Sequence, residues 1–348
     1  MRLSDCAGLA QTCIDVLCAY LRMAPPRFLV DYMFDRRAAD DVPEELISEL
    51  EVRHTAQRLL VGYANGHPDG ATSPNLDLTG AHLHDFTAAE AAFGGEATFY
   101  RAIFSGETTS FRGATFSGKT TSFNVATFSG ETTSFYEATF SGKTTSFFGA
   151  TFSGETASFT RATFSGKTTS FDVAIFSSEA TMFDGAIFSS ETASFDGAIF
   201  SSETASFDGA TFSGEATAFD GATFDSRTTF FDGAIFSSEA TFFDGATFSS
   251  ETASFDGAIF SSETASFDGA TFSGEATAFD GATFSGMVIW TTGARFISDL
   301  PAELVRWGRV APAVSQTTVC ETSTSCWPTT ACPCLINRAR NQRLTIDV

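Results

Sequence analysis

Two Phe positions recur along most of the chain with a period of twelve residues. One Phe series runs without a gap from Phe104 to Phe296, and the other runs from Phe99 to Phe279. Ala stands two positions before every Phe of the first series, and Thr or Ala stands two positions before each Phe of the second from Phe111 onward. A spacing of two is the period of a β-strand, so we expect the small residue and the Phe to share an interior face.

Paired turn residues separate these short apolar segments. Ser-Gly or Ser-Ser follows most Phe residues of the first series and Asp-Gly follows many of the second, and such pairs are typical of tight turns. Because the same side chains return at a fixed period, each coil would cover the core of its neighbour, as in a solenoid. The sequence predicts an all-β solenoid over residues 75–298, with positions such as Thr115, Ser122 and Ile187 facing outward or sideways.

Twelve residues could form a whole small coil or half of a larger one. Twelve extended residues span about 40 Å of chain, and a closed coil of that perimeter would hardly enclose two Phe rings. A twenty-four-residue coil would gather four Phe and four small residues and would stack Phe188 on Phe212. The alternation of sign from Glu107 and Lys119 to Lys167 favours the smaller coil, in which opposite charges would stack. Exposed ion pairs contribute only about 0 to 1 kcal/mol, so we prefer the larger coil and leave the smaller one open.

Segments of a different pattern flank the repeat. Residues 4–23 and 43–64 read as two helices with apolar faces. Because the open end of a solenoid needs a cover, we expect residues 1–70 to form a helical N-terminal cap. Residues 300–307 predict a short closing helix, and the rest of 299–348, rich in Thr, Ser, Pro and Cys, is expected to be a disordered tail.

The repeat resembles the pentapeptide repeats. The segments 114–118 (Ala-Thr-Phe-Ser-Gly) and 81–85 (Ala-His-Leu-His-Asp) place a small residue two positions before a Phe or Leu, as that family does. The resemblance implies a right-handed quadrilateral β-helix. The chain departs from it by alternating spacings of five and seven, so residues such as Lys119 and Thr120 must bulge from every second face or lengthen it. A bacterial subgroup with Phe-Ser-Gly-x-x-x-Phe spacing and a preceding helical segment like residues 11–23 is similar.

The chain is strongly acidic. It has 42 Asp and Glu against 20 Lys and Arg, which gives a formal charge of −22. Such a chain repels phosphate backbones and anionic lipid, so we expect no direct nucleic-acid binding. Its hydrophobic content of 43% is too high for a disordered acidic chain. No signal peptide and no apolar run of spanning length is visible, so we expect no transmembrane segment and a cytoplasmic protein that could reach a membrane only through a partner.

Residues that carry chemistry are sparse. The seven cysteines form an early and a late group: Cys6, Cys13, Cys18, Cys320, Cys326, Cys332 and Cys334. We expect reduced thiols, because the late group lacks the Cys-x-x-Cys pairs of structural zinc sites. The four histidines stand apart from them: His54, His67, His82 and His84. The sequence predicts that they are isolated from one another and from the cysteines. His82 and His84 lie on a strand-like segment that we expect to face solvent. No nucleophile elbow, phosphate loop or dinucleotide fingerprint appears, so we expect no enzyme, no cofactor and no metal site.

The acidic residues concentrate in the later repeats. From Phe171 to Gly286 nineteen acids accompany the single base Arg227. In twenty-four-residue coils two Asp ladders would run along opposite sides with neighbours about 4.8 Å apart. Their members are the candidate partner-binding residues: Asp172, Asp184, Asp196, Asp208, Asp220, Asp232, Asp244, Asp256, Asp268 and Asp280. Carboxylates at this spacing repel unless cations or a basic partner neutralise them. The simpler interpretation, which the pattern favours, is that the acids keep a Phe-rich rod soluble.

The sequence predicts a non-enzymatic binding or scaffold protein that presents acidic faces to an unknown, basic protein partner. A monomer and a homodimer are both compatible with the repeat. A structural or membrane-associated module is the second class of function. The resemblance implies a third, because some pentapeptide-repeat proteins mimic DNA and bind type II topoisomerases. Loss of binding at high salt would separate an electrostatic partner from a structural role.

Overall fold

The computed structural model describes residues 7–25, 44–65, 73–285, 287–289 and 295–296. Two helices come first and a solenoid of short parallel strands follows. The predicted all-β solenoid with a helical N-terminal cap is therefore confirmed.

Both predicted helices are present with nearly the predicted bounds. Helix α1 spans Ala7–Arg22 and helix α2 spans Glu44–Asn65. The closing helix expected at 300–307 and the tail expected after it lie outside the described residues, as do the four late cysteines.

The described strands form four parallel sheets, which we number 1 to 4 in the order in which a coil visits them. Sheets 1 and 3 contain the longer strands. Sheet 1 consists of Leu76–Asp77, Ala97–Thr98, Thr120–Ser122, Thr144–Ser146, Thr168–Ser170, Thr192–Ser194, Ala216–Ala218, Ala240–Phe242, Thr264–Ser266 and Met287–Ile289. Sheet 3 consists of Thr108–Ser110, Thr132–Ser134, Thr156–Ser158, Ala180–Met182, Thr204–Ser206, Thr228–Phe230, Thr252–Ser254 and Ala276–Ala278.

Sheets 2 and 4 contain mostly two-residue strands. Sheet 2 consists of His82–His84, Ile103–Ser105, Thr127–Phe128, Thr151–Phe152, Ile175–Phe176, Ile199–Phe200, Thr223–Phe224, Thr247–Phe248, Thr271–Phe272 and Arg295–Phe296. Sheet 4 consists of Ala92–Phe93, Thr115–Phe116, Thr139–Phe140, Thr163–Phe164, Ile187–Phe188, Thr211–Phe212, Ile235–Phe236, Ile259–Phe260 and Thr283–Phe284. These four sheets are the four sides of the coil.

One coil contains twenty-four residues. Phe188 pairs in register with Phe212, and their rings stack with centroids 4.9 Å apart. The preference for the larger coil is confirmed, and the twelve-residue coil is wrong. The spacing of seven lengthens every second side, because Thr120–Ser122 on sheet 1 has three residues where Thr115–Phe116 on sheet 4 has two.

Phe rings fill the interior in two kinds of contact. Rings one coil apart lie parallel, as in the Phe104–Phe128 pair at 4.5 Å. Rings that face each other across the core meet edge to face, as Phe159 and Phe171 do at 5.3 Å and 89°. Aromatic pairs in these geometries contribute about 0.5 to 1.5 kcal/mol beyond the apolar area that they bury. Ala two positions earlier, such as the fully buried Ala210, leaves room for them.

The two helices cover the first coil of the solenoid. Ile14, Leu21 and Leu60 are buried and belong to the same apolar core as the first solenoid residues. Gln11 adds two polar contacts, since its Nε2 donates to Asn75 O at 3.0 Å and its Oε1 accepts from Asn75 N at 2.8 Å. These contacts satisfy backbone groups that would otherwise lie at an open sheet edge.

Candidate interaction surface

Charged residues occupy all four corners of the coil. The bends that join sheet 4 to sheet 1 carry the Lys–Glu column, which consists of Lys119, Lys143, Lys167, Glu191, Glu215, Glu239 and Glu263. The bends that join sheet 2 to sheet 3 carry the Glu column, which consists of Glu107, Glu131, Glu155, Glu179, Glu203, Arg227, Glu251 and Glu275. These two columns lie at diagonal corners. The other two corners are turns.

The predicted Asp ladders stand at the two turn corners. The turns from sheet 1 to sheet 2 carry the first Asp column, which consists of Asp172, Asp196, Asp220, Asp244 and Asp268. The turns from sheet 3 to sheet 4 carry the second Asp column, which consists of Asp184, Asp208, Asp232, Asp256 and Asp280. The structure therefore stacks each set of five at neighbouring coils, and the two columns are diagonal to each other.

The carboxylates of the Asp columns hold neighbouring coils together. Asp196 Oδ1 accepts a hydrogen bond from Asp220 N at 3.0 Å, and Asp220 Oδ1 accepts one from Asp244 N at 2.9 Å. Ser residues of the next coil also donate to these carboxylates, as Ser206 does to Asp184. The acids thus satisfy backbone N–H groups that the turns leave outside the strand ladders.

Most of the Asp carboxylates are half-buried, and burial shifts the pKa of three of them. Burial raises the pKa of Asp196 and Asp208 above the ordinary value. Burial raises the pKa of Asp220 to about 6, against the hydrogen bond from Asp244 N and with added repulsion from Asp196 and Asp244. The raised pKa of these three carboxylates favours their neutral form, most strongly for Asp220 near pH 6.

The exposed acids at the corners are mostly glutamates. Every member of the Glu column and of the Lys–Glu column is exposed, whereas in the Asp columns only Asp268 and Asp280 are. Glu251 has 62% of its side chain exposed where it meets Arg227 at 3.4 Å. The regular Asp-Gly turns of the sequence predict the Asp ladders as the binding residues, but they do not reveal the glutamates. Their position directly after the Ser-Gly or Ser-Ser pair could have indicated an exposed bend.

The Lys–Glu column changes sign along the solenoid. Three lysines stack in its first part, and Lys167 then pairs with Glu191 of the next coil at 3.1 Å. Because the coil has twenty-four residues, the alternation noted in the sequence separates into a basic corner and an acidic corner in the early coils. Beyond Lys167 both corners are acidic, with Arg227 as the exception.

Comparison of the chain with family models, curated proteins and solved structures found no match. Within the described ranges, no helix is both long and apolar enough to cross a bilayer.

Proposed function

We propose that this chain is a non-enzymatic β-solenoid that binds a basic protein partner and acts as a docking or scaffold surface. The observation that carries the proposal is the pair of exposed acidic corners in the later coils. Their glutamates repeat once per coil at a spacing of about 4.8 Å, except where Arg227 replaces one, so the charge pattern is rigid. A basic surface can be steered to such a pattern and held by it.

The charge density of the later coils supports a charged partner. Residues 191–214 make one coil and contain four acids and no base: Glu191, Asp196, Glu203 and Asp208. With about 4.8 Å per coil, this amounts to one negative charge per about 1.2 Å. The two exposed glutamates alone give one per about 2.4 Å, compared with about 1.7 Å for duplex DNA.

The proposal includes a variant pentapeptide-repeat origin in bacteria and a cytoplasmic location. The four-sided coil and the small residue two positions before each Phe support the first. The free thiols of Cys13 and Cys18 support the second.

Capture of partners by matched variants tests the proposal. In the first variant Glu191, Glu215, Glu239 and Glu263 are replaced by Gln. In the second Asp196, Asp220, Asp244 and Asp268 are replaced by Asn. Both remove four negative charges, but only the first removes them from a fully exposed column, so it should weaken the complex by at least about tenfold and the second by less.

A third variant is the control for general electrostatics. Replacing Lys119, Lys143 and Lys167 by Gln makes the chain more acidic and should leave capture of a basic partner unchanged or increase it. Equal capture by the wild type and the Gln-for-Glu variant would reject the proposed surface. Capture that does not depend on salt would favour a structural role instead.

A second candidate function follows from the charge density, which is comparable to that of duplex DNA. In this alternative the solenoid mimics DNA and inhibits a DNA-binding protein such as a type II topoisomerase. The test is displacement of duplex DNA from the purified enzyme by the full chain. Displacement that the Gln-for-Glu variant loses would support mimicry, and undisturbed DNA binding would exclude it.

A further inference from the structure

Two histidines and an aspartate meet where helix α2 packs on the first coils. His54 of α2 and His84 of the strand His82–His84 have parallel rings with centroids 5.8 Å apart. Asp85 follows His84 directly, and ligand atoms of all three side chains lie within 4.8 Å of one another. The expectation that these histidines are isolated is therefore wrong, because docking of α2 brings together residues thirty positions apart.

One pair of ligand atoms in the cluster has the separation that two ligands of a tetrahedral metal ion have. His84 Nε2 and Asp85 Oδ2 are 3.4 Å apart. Two ligands at about 2.0 to 2.1 Å from a tetrahedral ion are about 3.3 to 3.4 Å apart. The ligand atoms of His54, His84 and Asp85 lie within 4.8 Å of one another, so His54 completes the set after a movement of no more than about 1.4 Å, which a small rotation of its side chain supplies.

Neighbouring residues orient the ligand atoms. His84 Nδ1 lies 3.3 Å from Ser105 Oγ, an arrangement that leaves Nε2 directed at the cluster. Asp85 Oδ1 accepts hydrogen bonds from the backbone N–H groups of Glu107 and Thr108 at 2.6 and 3.1 Å. Outer contacts of this kind fix the tautomer of a ligating histidine and the rotamer of a ligating carboxylate.

An independent observation comes from the cavity beside the cluster. Its volume is about 320 Å³, and His54, Gln57 and Asp85 line it. Gln57 is 4% exposed, and its Oε1 has no hydrogen-bond partner although its Nε2 donates to His84 O at 3.0 Å. His54 Nε2 is also buried without a partner. Gln57 Oε1 is an acceptor, and His54 Nε2 is one in the tautomer protonated at Nδ1. Two such unpartnered atoms at one cavity point to a bound cation, since buried polar atoms are otherwise satisfied.

We propose that His54, His84 and Asp85 bind a divalent transition-metal ion, Zn²⁺ in the first instance. Two imidazoles and one carboxylate suit this class of ion, and Gln57 Oε1 or water supplies the fourth position. Glu51 and Arg58 also line the cavity, so the charges of its rim offset each other. The ion would join α2 to the solenoid and so clamp the cap on the first coil.

Metal titration of the full chain tests the site. The four late cysteines, at positions 320, 326, 332 and 334, are replaced by Ser throughout so that they cannot bind the ion. We expect this background to bind one Zn²⁺ and to show the strong visible absorption of tetrahedral Co²⁺ when Co²⁺ replaces it. His54→Gln and Asp85→Asn should each weaken binding by more than about 100-fold, beyond the 10- to 100-fold cost of altering an outer contact.

His82→Gln is the matched control. It removes an imidazole from the same strand, outside the cluster, and should bind Zn²⁺ as the background does. Asp85→Asn keeps the Oδ1 acceptor for Glu107 and Thr108, so circular dichroism should show an intact fold. Zn²⁺ should raise the Tm of the background but not of Asp85→Asn. The proposal is overturned if the background binds no Zn²⁺, or if all three variants bind it equally.

Discussion

The second turn residue of each corner that carries an Asp column requires a left-handed backbone. Gly usually occupies it, as at Gly185 and Gly209 with φ of 60° and 62°. Val125 and Val173 adopt the same conformation, with φ of 57° and 49°. A β-branched side chain in this region is strained by about 1 to 2 kcal/mol, so these positions are local weak points.

Val173→Gly should therefore stabilise the solenoid by about 1 kcal/mol, after the greater entropy of Gly in the unfolded chain is subtracted. The Val173 side chain is 45% exposed, so little packing is lost. Gly209→Val is the reverse control, because no atom lies within 4 Å of the Cβ that it adds. It should destabilise by a similar amount in urea unfolding. A Val173→Gly chain that is less stable than the wild type, or a Gly209→Val chain that is as stable as the wild type, would contradict the backbone explanation.

Buried hydroxyl pairs link successive coils inside the core. Thr217 Oγ1 and Ser238 Oγ are 2.8 Å apart, and the same contact recurs wherever Thr precedes a buried Ser by twenty-one positions. Ser178 is buried and its Oγ has no partner, since Ala157 occupies the position of the Thr. Ser226 faces Ala205 in the same way but donates to Phe200 O at 3.3 Å, a bond that Ser178 lacks. The pairing is a rule of this interior, and Ser178 is an exception to it.

Ala157→Thr should supply the missing partner and stabilise by about 1 kcal/mol. Space exists, because Thr133 and Thr181 occupy the same site in the coils on either side. Thr217→Val keeps the shape but orphans Ser238 and should destabilise by about 1 to 3 kcal/mol. Thermal unfolding measures the stability of both variants relative to the wild type. A destabilised Ala157→Thr would show that the core has no room for a Thr–Ser hydroxyl pair at this coil.

At the scale of one column, the first Asp column makes stability depend on pH. The folded pKa of Asp220 is about 6, above its ordinary value of 3.8. Protonation of Asp220 therefore stabilises the folded state. This stabilisation is fully present below pH 3.8 and is lost as the pH rises through about 6. The Tm should rise as the pH falls from 7.5 to 5. Partial burial lowers the pKa of His82, and this works in the opposite direction.

The Asn variant of the first Asp column isolates this effect. Asn keeps the acceptor for the next coil, as Asn124 Oδ1 already does for Phe148 N at 3.2 Å. It should be at least as stable as the wild type at pH 7.5 and should lose the part of the pH dependence that the column causes. An unchanged pH profile would show that these carboxylates are not the source.

The coils could be predicted from the sequence for two reasons. The volume of Phe limits the possible size of a coil, and the spacing of two between Ala and Phe fixes which side chains face the interior. Phe188 had to stack on Phe212 once four rings shared a coil. The half-burial of Asp220 could not be predicted, because it depends on a backbone N–H one coil away. The meeting of His54 with His84 also escaped prediction, since it depends on how α2 docks.

At the scale of the molecule, the early and late coils of the described solenoid differ in charge. Its early coils have a lysine corner diagonal to a glutamate corner, and its later coils are acidic at nearly every corner. A basic partner should therefore bind the later coils, where no column of like sign repels it.

The salt dependence of partner affinity tests the central claim that the exposed glutamates form the binding surface. The Kd of a purified partner is measured from low to high salt for the wild type, the Gln-for-Glu variant and the Asn-for-Asp variant. We expect a steep loss of affinity with salt for the wild type, a clearly flatter dependence for the Gln-for-Glu variant and an intermediate one for the Asn-for-Asp variant. Two results would contradict a glutamate binding surface. One is a wild-type affinity that does not change with salt, and the other is a salt dependence of the Gln-for-Glu variant that is as steep as that of the wild type.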